Sequence, residues 1–191
     1  MLRLTISAAI NPKVCLYDQK AEKWDMLSNR NDITGEGICL LLQVFYQFAK
    51  NIDGGEVNSV WFQDAALVST AASAGDYRKS SSASTLEERS KAIGMVCHKH
   101  DDNVILAIFH SAEASIPEMQ EDCKRLHRIF VDKYSHKLRQ LTNEINSLDA
   151  EQPSIPAEFS AKVASIFAPF HADVDNYIHR SSVSSAVEVV K

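Results

Sequence analysis

The residues richest in chemistry lie between Lys91 and His110, in "KAIGMVCHKHDDNVILAIFH", where Cys97, His98, His100, Asp101 and His110 fall within fourteen positions. Thiolate, imidazole and carboxylate are the side chains that hold zinc, which needs them converging on one tetrahedral point. The surrounding pattern argues against convergence. Ile93, Met95 and Cys97 alternate with Gly94, Val96 and His98, and Val104 to Phe109 form a continuous apolar run with Ile105, Ala107 and Phe109 on one side. "HKHDDN" between them supplies turn residues, so the stretch reads as two antiparallel strands joined by a hairpin. Neighbouring strand residues point to opposite faces, which separates Cys97 from His98. His98 and His100 converge only if strand geometry persists through "KHDDN", which reads more as turn than strand. Solvated turn histidines are therefore the simpler reading. A metal- or metabolite-dependent α+β enzyme using His98, His100 or His110 is the alternative.

Other catalytic arrangements are missing from the sequence. No GxSxG elbow occurs, and the glycines of "TGEGI" and "DGG" make neither GxGxxG nor a phosphate-cradling Walker loop. Cys15, Cys39, Cys97 and Cys123 are widely spaced without a CxxC pair and sit in apolar patterns, as reduced, buried thiols of a cytosolic protein do. No catalytic residue, metal ligand or cofactor is assigned on this basis. A net charge of -5 disfavours a dedicated nucleic-acid binder, which needs a basic face against phosphates. The longest apolar run, "GICLLLQVFYQFAK", is interrupted by glutamines and falls short of the roughly 20 apolar residues that cross a bilayer. The start, "MLRLTISAAINPK", alternates with polar residues and lacks the continuous apolar core of a signal peptide. The expected location is cytoplasmic.

The elements that would position these residues follow from hydrophobic period. Leu2, Leu4 and Ile6 alternate with Arg3, Thr5 and Ser7, then "NP" turns the chain into "KVCLYD", an N-terminal hairpin. "KWDML" around Trp24 either extends the second strand or forms a short third one. From Thr34 the spacing becomes helical: Ile38, Leu41, Leu42, Phe45, Phe48, Ala49 and Ile52 share a face, with Asp32 or Thr34 as cap and Gly54 and Gly55 as the stop. Gly35 and Gly37 in the first turn loosen the helix start or admit another backbone. A strand is expected around Ser59 to Ser69, followed by a mobile serine-rich loop at about 73–91. After the hairpin, Ser115 and Glu118 form a capping box with Pro117 in the first turn of a long helix striped by Met119, Cys123, Leu126, Phe130, Tyr134, Leu138, Leu141, Ile145 and Leu148. A last helix carries Phe159, Val163, Ile166, Phe167, Phe170, Val174 and Tyr177, kinked or broken at Pro169, and 181–191 reads as a flexible tail. The whole is one α+β domain over 1–180, a five-stranded antiparallel sheet with helices on both faces in the order ββαβββαα.

Lys124, Arg125, Arg128, Lys133, Lys137 and Arg139 surround the long stripe, as on the solvated face of an amphipathic helix, or a basic face toward an acidic partner or anionic lipid. In "RKSSSAS", Arg78 precedes Ser81 by three residues, the spacing of a basophilic kinase substrate, and Ser80 and Ser81 are the candidate sites.

"ITGEGICLLLQVFYQFAKNI" as first helix, "AIGMVCHKH" and "NVILAIFHS" as last strands, and "MQEDCKRLHRIFVDKYSHKLRQL" as the following helix give an order that resembles the longin fold of vesicle-trafficking proteins over roughly Met1 to Ile178. The likeness is greatest to longin domains of Rab exchange-factor subunits, and "IFVDKYSHKL" is similar to the corresponding helix of the signal-recognition-particle receptor α subunit. The chain departs from longin SNAREs, since no heptad helix follows the domain, and its serine-rich insertion exceeds what a minimal longin hairpin needs. The resemblance implies a non-enzymatic domain that assembles with another longin subunit or a small GTPase of the Rab class. It would do so within a guanine-nucleotide exchange complex or as an adaptor or tether subunit, peripherally on endomembranes. It places the contact surface on the first helix and its adjoining strand, through Gly35, Gly37, Leu41, Val44, Phe45 and Phe48. In chain purified from its native cells, mass spectrometry is expected to find phosphate on Ser80 or Ser81; peptides from this loop that are uniformly unmodified would remove the expectation.

Overall fold

The structure is a computed structural model that describes residues 1–11, 13–21, 24, 34–51, 57–62, 93–100, 104–148 and 154–188. Its strands are β1 (Arg3–Ala8), β2 (Cys15–Lys20), β3 (Ser59–Phe62), β4 (Ile93–His100) and β5 (Val104–Ser111). Its helices are α1 (Gly35–Asn51), between β2 and β3, and after β5 α2 (Ile116–Ser147), α3 (Ala157–Phe167) and α4 (Phe170–Glu188). The strands form one antiparallel sheet in the order β2-β1-β5-β4-β3, so β1 and β5 are central and β2 and β3 are edges.

Alternation along β5 divides the core in two. Ile105, Ala107 and Phe109 face α1, packing with Ile38 and Leu42 of that helix and with Met95, Cys97 and Trp24. Val104, Leu106 and Ile108 face α2 to α4 and join Leu4, Ile6, Phe130, Phe167, Phe170 and Val174. A strand covered on both faces reads as an unbroken apolar run, which is what β5 is. The larger core is centred on Phe130, whose ring lies 5.2 Å from Phe167 and 5.0 Å from Phe170.

β2 carries a bulge. Ile6 pairs with Tyr17 and Ser7 with Cys15, so Leu16 is the extra residue. The bulge lets Leu16 and Tyr17 both enter the core beneath α2 to α4, while Cys15 and Asp18 lie toward α1. At the hairpin end, Lys13 N–H donates to Asn11 Oδ1, the local side-chain bond that suits Asn to a turn.

Several expectations are revised. His100 pairs with Val104, so β4 runs through Lys99 and His100, residues assigned to the turn. The backbone ladder continues because the strands stay in register to the last pair. Asp101 and the rest of the turn lie outside the described residues, as do the expected strand beyond Phe62, the serine-rich loop with Ser80 and Ser81, and Asp32, Ile52, Gly54 and Gly55. Trp24 N–H bonds Ala21 C=O, and the rest of the "KWDML" segment lies outside the described residues. Ser115 occupies the N-cap of α2 with extended backbone but makes no side-chain cap bond, so the capping box does not form, while Pro117 sits in the first turn as expected. Pro169 separates α3 from α4, because a residue without N–H cannot bond the carbonyl of Ser165, and the order becomes ββαβββααα. α4 runs to Glu188, in a stretch free of Gly and Pro.

Truncating Phe130 empties the point where three helices meet the sheet. Phe130→Ala is expected to cost about 3–5 kcal/mol in urea unfolding; a loss below 1 kcal/mol would contradict the packing described.

Candidate interaction surface

α1 begins at Thr34, whose Oγ1 accepts the N–H of Gly37 and whose carbonyl accepts that of Ile38. These bonds satisfy donors that the first turn otherwise leaves open. Seventeen residues follow with apolar side chains on more than one face. Ile38, Cys39, Leu42 and Ala49 are buried. Leu41 and Phe45 are half-buried, and the Phe45 ring lies 6.2 Å from Phe62 of β3, which joins the helix to that edge strand. Leu40, Val44 and Phe48, spaced four apart, form a separate stripe that is 43%, 62% and 63% exposed. Residues at that spacing sit one above another on a helix, so this is one ridge.

The expected contact residues therefore divide. Val44 and Phe48 share the exposed ridge, Leu41 and Phe45 flank it, and Gly37 belongs to the cap. Gly35 faces the sheet: a Cβ there would lie 2.8 Å from Cys15 Sγ and 3.1 Å from Asp18 Cβ. Phe48, read as part of the core face, points away from it. Leu40 joins the ridge although it was not singled out; its signal in the sequence is the four-residue repeat to Val44 and Phe48. Trp61, 43% exposed on the edge strand β3, was also passed over.

Beneath α1, on the polar side of β1, lies an ion pair. Arg3, Thr5 and Ser7 are buried beneath α1. Arg3 Nε and Nη2 each donate at 2.7 Å to the two carboxylate oxygens of Asp18, and Thr5 Oγ1 donates to Oδ1 at 2.9 Å. The Arg3 guanidinium also lies over the Trp24 ring, 5.2 Å from its centre. A two-pronged guanidinium–carboxylate contact fixes geometry as well as charge. Cys15 beside it donates to Tyr17 C=O at 3.5 Å, and the neighbouring Cys39 thiol of α1 together with burial pushes its thiol far above the usual value, leaving a neutral, inert group.

The histidines of the last hairpin scatter. Cys97 faces α1 and its thiol donates to Val57 C=O at 2.8 Å. His98 points to the other face, its ring 5.1 Å from that of His127 on α2. His110, buried, bonds Ser111 C=O through Nδ1 and meets Trp61 edge-on at 5.5 Å. Gly94 lies between them in the sheet, where a Cβ would come within 2.3 Å of the His110 ring. Among the described residues, no three His, Cys, Asp or Glu side chains are grouped to hold a metal ion. The basic residues of α2 are partly engaged, Arg125 with Glu121 and Lys133 with Asp173.

The chain is thus an α+β protein built on a five-stranded antiparallel sheet. No known family, curated protein or solved structure matches it. Among the described residues no helix is long and apolar enough to cross a membrane.

Removing one member of a buried ion pair strands the other. Asp18→Leu alone is expected to cost about 3–5 kcal/mol, and Arg3→Met with Asp18→Leu to recover most of that loss. Equal destabilisation of the single and double variants in urea unfolding would contradict it.

Proposed function

We propose that the chain is a longin-type domain that works by assembly rather than catalysis, holding another longin-type subunit or a small GTPase of the Rab class in membrane traffic. The observation that carries this reading is the Leu40, Val44 and Phe48 ridge. These three large apolar side chains stand in solvent on a helix already anchored by its other face. Exposed apolar surface of this kind marks interaction sites. The neighbouring strand β3, an edge of the sheet among the described residues, adds Trp61. Two strands, a helix, three strands and a long helix agree with the longin order, which supports the finer assignment.

In this reading the chain supplies surface within a guanine-nucleotide exchange complex or an adaptor, and is peripheral on endomembranes through its partners. A partner of the same class would lay its own first helix against the ridge, excluding water from both. The GTPase would be remodelled by the assembly rather than by a catalytic side chain of this chain.

Val44→Asp with Phe48→Asp changes only exposed positions, so stability is expected to move by no more than about 0.5 kcal/mol per site. Tagged wild-type chain purified from its native cells is expected to retain a longin-type subunit or a small GTPase, and the folded double variant to lose it. Full retention by the variant would remove the ridge from the interface, and absence of both partners from folded wild-type bait would remove the trafficking reading.

A further inference from the structure

Among the described residues, β2 forms the other edge of the sheet. A trough of about 720 Å³ runs along β2, lined by all six of its residues, by Gly35 and Glu36 of α1 on one side, and by Ser160, Ala161 and Ala164 of α3 on the other. The register shows what β2 offers. Ala21 N–H bonds Leu2 C=O, and pairing then steps by twos, so Gln19 and Tyr17 exchange backbone bonds with β1. Asp18 and Lys20 consequently direct their N–H and C=O outward. The exposure of Asp18 agrees: the residue as a whole is exposed although its side chain is only 21% so, which places the exposed surface on the main chain.

We propose that this trough binds an extended peptide segment of a partner protein as a sixth strand beside β2, with a lysine or arginine of the segment directed at Glu36. Strand addition takes affinity from main-chain bonds and specificity from alternate side chains. Segment residues opposite Asp18 face α1, where Glu36 is exposed and has no ion-pair partner among the described residues. Those opposite Tyr17 and Gln19 face α3, where the exposed Ala161 and Ala164 leave room for branched side chains. Asp18 is occupied by Arg3 and Thr5, so Glu36 is the carboxylate left to choose the charge of the segment. Tyr17 bonds Gln19 and meets His171 at 3.3 Å, and Gln19 bonds Asp175, which steadies β2 from the α4 side. The site lies at the opposite edge from β3 and stands or falls independently of the α1 ridge.

The probes are two capped pentapeptides, acetyl-Ala-Val-Lys-Val-Ala-amide and the same peptide with glutamate for lysine, titrated to millimolar concentration into the ¹⁵N-labelled full chain. The lysine peptide is expected to shift the amides of Asp18 and Lys20 and to bind several-fold more tightly than the glutamate peptide, the attraction of one and the repulsion of the other each contributing up to about fivefold at an exposed carboxylate. Glu36→Lys is expected to reverse the preference, and Ala164→Trp, at an exposed helix position, to abolish both titrations while leaving the spectrum dispersed. Three outcomes would overturn the proposal: no shift in β2 with either peptide, equal affinity for both, or shifts in β2 that follow protein concentration without peptide, which would seat a second copy there.

Discussion

A guanidinium buried in the centre of a sheet has to be matched, and the placement of much of the α1 side follows from how Arg3 is matched. It lies on a central strand and is fully buried, so its charge needs a carboxylate that reaches under the helix. Asp18 does so from the neighbouring strand, and both carboxylate oxygens are used. That contact reinforces the pairing of β1 with β2, brings Thr5 into the same cluster, and gives the first turn of α1 a surface to rest on at Gly35. Trp24 closes the cluster, its ring lying against the guanidinium and meeting Phe109 edge-on at 5.3 Å. A hydrophobic isostere of the pair could be as stable, but it would not dictate one register.

With α1 packed on the sheet through Ile38 and Leu42, its remaining apolar residues do not reach the core. A helix resting on a sheet buries one stripe, and α1 carries more apolar residues than one stripe holds. The excess is the Leu40, Val44 and Phe48 ridge, and the anchoring is what keeps it in solvent. The opposite side of the sheet behaves differently. α2 buries Cys123, Leu126, Phe130, Tyr134, Leu141 and Ile145 and exposes no large apolar side chain, so this helix closes the core without a comparable apolar ridge.

The fold class was legible because period is legible. β5 reads as a strand covered on both faces, and α1 and α2 declare a 3.6-residue period. What resisted reading was non-local. The alternation Leu2, Arg3, Leu4, Thr5, Ile6, Ser7 looks like a strand with one wet face, yet every one of those residues is buried; nothing in a linear pattern shows that a helix will cover the polar side or that Asp18, fifteen residues away, will meet Arg3. The bulge at Leu16 is equally silent, since it depends on what β1 places opposite. The six proposed contact positions were separated by the same kind of information: Gly35 and Phe48 look alike as members of one helix, and only the packing against β2 puts one inside and leaves the other out.

The hairpin histidines show the reverse case, in which strand alternation alone anticipated that Cys97 and His98 face opposite sides. The account as a whole rests on α1 being a surface held out for a partner. Hydrogen exchange measured along the chain, alone and in the assembly purified from its native cells, tests this most directly. The account predicts that assembly slows exchange at α1 amides around Val44 and Phe48 and at β3, with α2 little changed. Protection confined to α2, or none on α1, would contradict it.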